Sequence, residues 1–326
     1  MSEMNFVTAI NTALARAMTE DQTVIIMGED VGIDGGVFRA TDGLVKRFGE
    51  DRVRDTPISE QTICGLSIGL AIEGFRPVAE IQFSGFMYPC IDHLANHASR
   101  MRNRTRGRLT VPMVLRTPWA GGTKALEHHS EANEATLTNI PGLKIVIPSS
   151  PKYAYGLLLA AIRDPDPVVF FEPPRLYRAA VEDVTDDGAA LPLEKCFVRR
   201  EGKDLTLIAW GPMVQQALTV ADQLQTKGTS TEVIDIATLK PLDEQTIIDS
   251  VKKTGRAVII QEAARTGGFA GEISARIMEN AFGSLLAPVQ RVTGYDIVLP
   301  LPRLEDQFLP NAARITAAVD KVLAYA

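Results

Sequence analysis

The stretch DTPISEQTICGLSIGLAIEGFRPVAEIQFSGF, residues 55–86, changes its hydrophobic period once and decides the fold class. Ser59 suits an N-cap, which predicts a helix from Glu60 to about Glu73. Inside it Gly65 and Gly69 lie four residues apart, with Ala71 and Gly74 beyond. Glycine in a helix interior costs about 1 kcal/mol relative to alanine, and close approach of another backbone is the usual compensation. That face is therefore expected to pack tightly against another helix, one from a second subunit included. After Gly74 the apolar run Pro77–Gln82 reads as a strand that opens into a loop. A helix feeding a buried strand is the repeating unit of an α/β domain.

The same unit recurs outward in both directions. Phe6, Val7, Ile10, Leu14 and Met18 have helical spacing, and Val24–Met27 reads as a buried strand. That strand runs into Gly28, Glu29 and Asp30 and a loop with Gly32, Gly35 and Gly36. A helix is expected over Ala40–Phe48 and an extended segment over Arg52–Asp55. Downstream, MYPCIDHLANHASRMRNR reads as helical, VPMVLRTPW and KIVIPSS as strands, and AYGLLLAAIRD as a helix. PVVFFEPP has the unbroken apolar character of a central parallel strand. Prolines, glycines and charges then cluster, and a second α/β pattern starts at DLTLIAWG and runs through RAVIIQEA to GGFAGEI. The expected organisation is two doubly wound α/β domains, 1–185 and 203–326, joined by a linker at 186–202.

Composition excludes several classes. The chain has 326 residues, with 34 basic and 40 acidic side chains and a net charge of −6. An acidic chain is a poor general partner for nucleic acid. Cys64, Cys90 and Cys196 are odd in number and widely spaced, which argues against a disulfide framework or zinc site and fits a reducing compartment. The N-terminus lacks a basic n-region and a contiguous apolar core, and no run of about 18 apolar residues occurs. A cytoplasmic, bacterial-type chain without a targeting or membrane segment is the expectation. No GxxxxGK[ST], GxGxxG or GxSxG is present.

Several constellations could carry chemistry. Glu29, Glu60 and Glu80 lie at or near strand ends, where ligands of open α/β sheets bind, although such carboxylates are more often caps or loop residues. His128 and His129 follow a glycine turn at Gly121 and Gly122 and could supply an acid/base group near neutral pH. His93 and His97, spaced i, i+4, are read as a solvated helix face, since no HExxH or nearby cysteine accompanies them. Arg100, Arg102, Arg104, Arg106 and Arg108 alternate in a loop expected at a subunit interface or near an anionic substrate. Asp164 and Asp166 form an acidic turn at a helix end, by composition a solvated Asp-Pro turn.

Joined in order, GEDVGIDGGVFRATDGL, DRVRDTPISEQTICGLSIGLAIEGFRPVAEIQFSGF, TPWAGG, HHSEANEA, PGLKIVIPSSP, RDPDPVVFFEP and VKKTGRAVIIQEA closely resemble the β subunits of the thiamine-diphosphate-dependent 2-oxo acid dehydrogenases. The resemblance covers essentially the whole chain. It implies a pyrimidine-type thiamine diphosphate domain followed by a transketolase C-terminal-like domain. It implies that Glu60 contacts the aminopyrimidine ring nitrogen and activates the cofactor, that Ile58, Gln82 and Phe86 line that pocket, and that Glu29 couples active sites through the interface. His129, followed by Ser130, matches the histidine that assists reductive acylation of lipoyl groups. Asp164 and Asp166, with the carbonyls of Met113, Ala161 and Ile162, match a potassium site, and Asp296 matches a carboxylate that docks the dihydrolipoyl acyltransferase core. The GDG motif that holds magnesium on the diphosphate is absent. The resemblance therefore implies a separate α subunit, an α2β2 assembly, and a chain that is silent alone. EIQFSGF and RMRNRT resemble pyruvate-specific relatives, while FFEPPRLYRAA resembles branched-chain ones, with acetoin-cleaving enzymes a third choice. A non-catalytic scaffold is the reading of a different class.

Overall fold

The computed structural model describes residues 2–325. In chain order its strands are β1 (Ser2–Asn5), β2 (Val24–Gly28), β3 (Val53–Asp55), β4 (Arg76–Glu80), β5 (Val114–Pro118), β6 (Lys144–Val146) and β7 (Val168–Glu172). They continue as β8 (Val181–Val184), β9 (Phe197–Arg200), β10 (Leu205–Ala209), β11 (Thr231–Asp235), β12 (Thr238–Lys240), β13 (Ala257–Ile260) and β14 (Gln290–Val292). One sheet has the order β12-β6-β7-β5-β4-β2-β3, parallel except for β12 at its edge. The other has the order β14-β13-β10-β11-β9, parallel except for β9. A short antiparallel ribbon pairs β1 with β8.

Alternation along each buried strand divides its side chains between two faces. In the first sheet Ile26, Val78, Val114 and Phe170 pack toward the helices Phe6–Glu20 and Pro151–Arg163. Met27, Ala79, Leu115 and Phe171 pack toward the helices Glu60–Ile72 and Cys90–Asn96. In the second sheet Leu207 and Val233 share a core with the helices Pro212–Gln225 and Ala312–Leu323. Ile208 and Ile234 turn the other way, into the core that also contains Trp119, Ile145 and Ile147 of the first domain. Both sheets are thus doubly wound, and they share one dry apolar seam. The helix at 60–72 follows the predicted span closely, because its apolar residues and those of β4 alternate with different periods.

The structure departs from the sequence reading in several places. The segment 87–104 is broken into the helices Cys90–Asn96 and Met101–Arg104, with His97 (φ −122°, ψ −69°) leaving helical geometry between them. The helix expected from Ala40 starts only at Leu44, after Gly43 in the left-handed region. The expected linker contains β9, which hydrogen-bonds to β11. β12 comes from the C-terminal half of the chain yet pairs with β6 in the first sheet. These edge strands are short and carry polar residues, so an apolar run does not announce them. The glycine-faced helix is also only partly covered: a side chain at Gly65 would meet the His93 imidazole at 3.3 Å, whereas one at Gly69 would meet nothing.

Three charged groups lie inside the first sheet. Arg116 on β5 is 1% exposed. Its Nη1 donates to Glu80 Oε2 of β4 at 2.9 Å, and its Nε donates to Glu172 Oε1 of β7 at 2.6 Å. Tyr177 Oη donates to the second oxygen of Glu172 at 2.9 Å. Burial pushes the Glu80 carboxyl up, and Arg116 opposes that shift. Removing one partner of a buried ion pair typically costs about 3–5 kcal/mol, because the other charge stays desolvated. Arg116→Leu should therefore cost about that much, read by urea unfolding, and adding Glu80→Leu and Glu172→Leu should recover most of it. A loss below about 1 kcal/mol for the single variant would remove the triad from its structural role.

Candidate active site

In the first sheet β3, β2, β4 and β5 are consecutive neighbours and parallel, so their carboxyl ends open at the same edge. Glu29 and Asp30 leave β2, Ile58 and Glu60 follow β3, Gln82 follows β4, and the loop bearing His129 follows β5. Gly28 is required at this edge, since a Cβ there would stand 2.7 Å from the Glu80 carbonyl oxygen. Gln82 lies beyond the strand rather than inside it, because β4 ends at Glu80. Its Nε2 donates to Asp30 Oδ2 at 3.4 Å.

Glu60 opens its helix, and the Cys90 thiol donates to its backbone carbonyl at 3.2 Å, anchoring the first turn. Ser59 holds the N-cap position, but its hydroxyl pairs with the Thr62 hydroxyl at 2.7 Å rather than with a backbone amide. Glu29 is 5% exposed, and its Oε1 is buried with no hydrogen-bond partner among the described residues. Burial pushes the Glu29 carboxyl above the ordinary carboxylate range, and the negative charges of Glu60 and Asp30 push it further. Glu29 is thus a buried acid inclined to hold its proton, with the Glu60 carboxyl near enough to act on it through its charge. Ile58 stands beside them 83% exposed, the open edge of the cleft.

His129 belongs to a one-turn 3-10 helix, Glu127–His129, pressed onto the turn Ser84–Met87. Its ring meets those of Phe83 and Phe86 edge-on, with centroids 4.5 Å and 5.2 Å away. Gly85 makes this approach possible, since any Cβ there would collide with the His128 carbonyl. Burial lowers the His129 pKa, the neighbouring His128 lowers it further, and Nδ1 is buried without a partner among the described residues. The imidazole is thereby kept neutral near pH 7, able to give or take a proton.

Other expected residues lie apart from this cleft. At the acidic turn Lys144 Nζ donates to Asp164, and Arg102 Nε donates to Asp166 at 2.7 Å. Arg76 Nη1 donates to the carbonyls of Ile162 and Asp164 at 2.9 and 3.1 Å. The Met113 carbonyl accepts from the Val168 amide, and the Ala161 carbonyl from the Asp164 amide. Asp296 accepts from the Thr266 amide and hydroxyl, both at 2.8 Å, which holds its exposed carboxyl below the ordinary range. Asp92, His93 and His97 bring ligand-type atoms within 4.8 Å on the surface, where Asp92 already accepts from Asn96. The arginine loop borders a groove of about 1050 Å³ with Lys144 and Lys240.

Sequence reasoning missed a group of buried acids behind the histidine loop. Trp119 Nε1 donates to Glu134 Oε2 at 3.1 Å, Arg175 donates to Glu262, and the Gly122 amide donates to Glu305. Glu134, Glu262 and Glu305 are each at most 1% exposed, and each has one oxygen without a partner among the described residues. Glu262 had a signal, as an acid ending the apolar strand AVII; Glu134 and Glu305 sit in short polar helices and had none. Burial raises the Glu134 carboxyl from 4.5 to about 7. Between those values the folded chain holds a proton that the unfolded chain has lost, so stability falls as pH rises through that window. Glu134→Gln should abolish this fall, worth up to about 3 kcal/mol between pH 4.5 and 7, measured by thermal unfolding against pH. Parallel pH profiles for the two proteins would place the titration elsewhere.

Comparison with known proteins agrees with this architecture. The family model of the transketolase pyrimidine binding domain matches residues 2–180, and that of the transketolase C-terminal domain matches residues 194–315. The chain is 48% identical to the pyruvate dehydrogenase E1 component subunit beta of Acholeplasma laidlawii, over 99% of this chain and 98% of the other. It is 47% identical to the protein of the same description from Bacillus subtilis and 45% identical to that from Staphylococcus aureus, over all of each chain. Among solved structures, a split gene transketolase described as an inactive beta4 tetramer aligns with a TM-score of 0.80, at 22% identity and over 99% of both chains. At that identity the match speaks for the fold alone.

Proposed function

This chain belongs to the family of pyruvate dehydrogenase E1 component β subunits, and on that premise we propose that its cleft is half of a thiamine diphosphate site completed by an α subunit. What carries the reading is that Glu29, Glu60, Gln82, Phe86 and His129 all lie in segments that follow the carboxyl ends of adjacent parallel strands. The fit to the cofactor's aminopyrimidine half is supported by two buried polar atoms without partners, Glu29 Oε1 and His129 Nδ1, beside exposed apolar Ile58.

Glu60 holds and moves a proton at the aminopyrimidine ring nitrogen, while Ile58, Gln82 and Phe86 orient the ring and exclude water. Glu29, inclined to keep its proton, is the relay partner of Glu60 and continues toward the subunit interface. His129, neutral near pH 7, exchanges a proton with the lipoyl group during reductive acylation. When bound, the cofactor supplies the nucleophilic carbon and the electron sink for decarboxylation of a 2-oxo acid. Nothing in this chain can hold magnesium on the diphosphate through a GDG motif, so the α subunit supplies that half, in an α2β2 assembly. The open strip at Gly69 and Leu66, the latter 50% exposed, supports such a contact. Asp296, exposed and held ionised, would meet a basic domain of the acyltransferase core. Potassium does not fit the acidic turn as arranged, since Lys144 and Arg102 already neutralise its carboxylates and Arg76 occupies two of its carbonyls.

Glu60→Gln tests the reading in the reconstituted α/β enzyme. Turnover should fall roughly 100-fold or more with the assembly unchanged by size-exclusion chromatography, whereas intact turnover would leave only the scaffold reading. For substrate, kcat/KM of the same enzyme on pyruvate, 3-methyl-2-oxobutanoate and acetoin should rank pyruvate first. A higher value on either of the others reassigns the specificity.

A further inference from the structure

The loop between Trp119 and Asn133 carries His129, yet its polar anchors come from two directions. On one side Ser84 Oγ donates to the Glu131 carbonyl at 2.7 Å, and Asn133 Nδ2 donates to the Ser84 carbonyl at 2.9 Å. On the other side the anchors belong to the C-terminal domain. The Gly122 amide donates to Glu305 Oε1, and Lys124 Nζ donates to Asp306 Oδ1 at 2.6 Å. The glycines are needed for this docking. A Cβ on Gly121 would stand 3.0 Å from Glu305 Oε1, and one on Gly122 (φ +115°) would collide with the Arg175 side chain. Arg175 is itself held by Glu262.

Glu305 is fully buried at the start of the short helix Glu305–Phe308, and its Oε2 has no partner among the described residues. A buried carboxylate with half its acceptor capacity unused is a poor choice for packing, where an apolar side chain would do better. Among the described residues its hydrogen bond to the loop comes from the Gly122 amide, seven residues before His129. We infer that Glu305 is a positioning residue: by holding Gly122 it fixes His129 against Phe83 and Phe86, so that the C-terminal domain sets the acyl-transfer half of the reaction. The inference rests on the role proposed above for His129.

The test uses the assembled α/β enzyme and reads the two half-reactions separately. Decarboxylation is followed with an artificial electron acceptor, and reductive acylation with a lipoyl domain. Glu305→Ala should slow acylation roughly 10-fold or more while decarboxylation stays within about two-fold. Amide hydrogen exchange across residues 120–131 should quicken in the same variant. Glu305→Gln keeps an acceptor oxygen and should restore most of the acylation rate. If the alanine variant does not assemble, Glu305→Leu removes the acceptor with less loss of volume and carries the same test. Equal losses in both half-reactions, or an unchanged acylation rate, would overturn the inference. His129→Ala is run alongside. Acylation that survives it removes the proposed role of His129, whereas acylation lost with His129→Ala but not with Glu305→Ala removes only the positioning role of Glu305.

Discussion

Arg116 ties together three neighbouring strands of the first sheet, two of which, β4 and β5, lead into the candidate site. It sits on β5 between β4 and β7, with one carboxylate on each neighbour, and water has no access to any of the three. Charges taken out of water are tolerated only when geometry satisfies them, so the triad admits little freedom in how these strands end. What leaves those ends is functional. Glu80 is two residues from Gln82, Arg116 three residues before the histidine loop, and Glu172 three residues before Arg175. The position of the proposed site residues thus follows in part from an ionic constraint deeper in the sheet.

The cleft itself is unfinished. Glu29 and His129 each keep a buried polar atom without a partner, while Ile58 and Leu66 face outward. In a self-sufficient domain these features would cost stability with no return. Under the function proposed here, they are the parts that a cofactor and a neighbouring chain would complete. The second domain adds to this arrangement from behind. It lends β12 to the first sheet, shares one apolar core with it, and anchors the histidine loop through Glu305 and Asp306. The two halves of the chain are thus packed and hydrogen-bonded together beside the histidine loop.

Much of this was legible in the sequence, for reasons that differ by residue. The helix at 60–72 and its neighbouring strands announced themselves because hydrophobic period is a local property. The roles expected of Glu29, Glu60, Gln82, Phe86 and His129 came from the family resemblance, carried by motifs each weak alone. The edge strands β9 and β12 were not legible, since their pairing is chosen by distant partners. The long helix expected at 87–104 failed for a similar reason. Its apolar positions pack beneath the first domain in separate pieces, and no proline or glycine at His97 marks the break.

What the sequence determined by itself was the alternation of elements, the two-domain α/β class and the carboxylates at strand ends, because each depends on residues close together in the chain. The tertiary structure alone decided which carboxylates are buried, which are neutralised and which hold a loop. Asp164 and Asp166, by composition a solvated turn, accept from Lys144 and Arg102, 20 and 64 residues away in the chain. Glu305 accepts from the Gly122 amide, 183 residues away in the chain. Charge and hydrogen bonding act through space, and partners from distant segments exist only once the chain is folded.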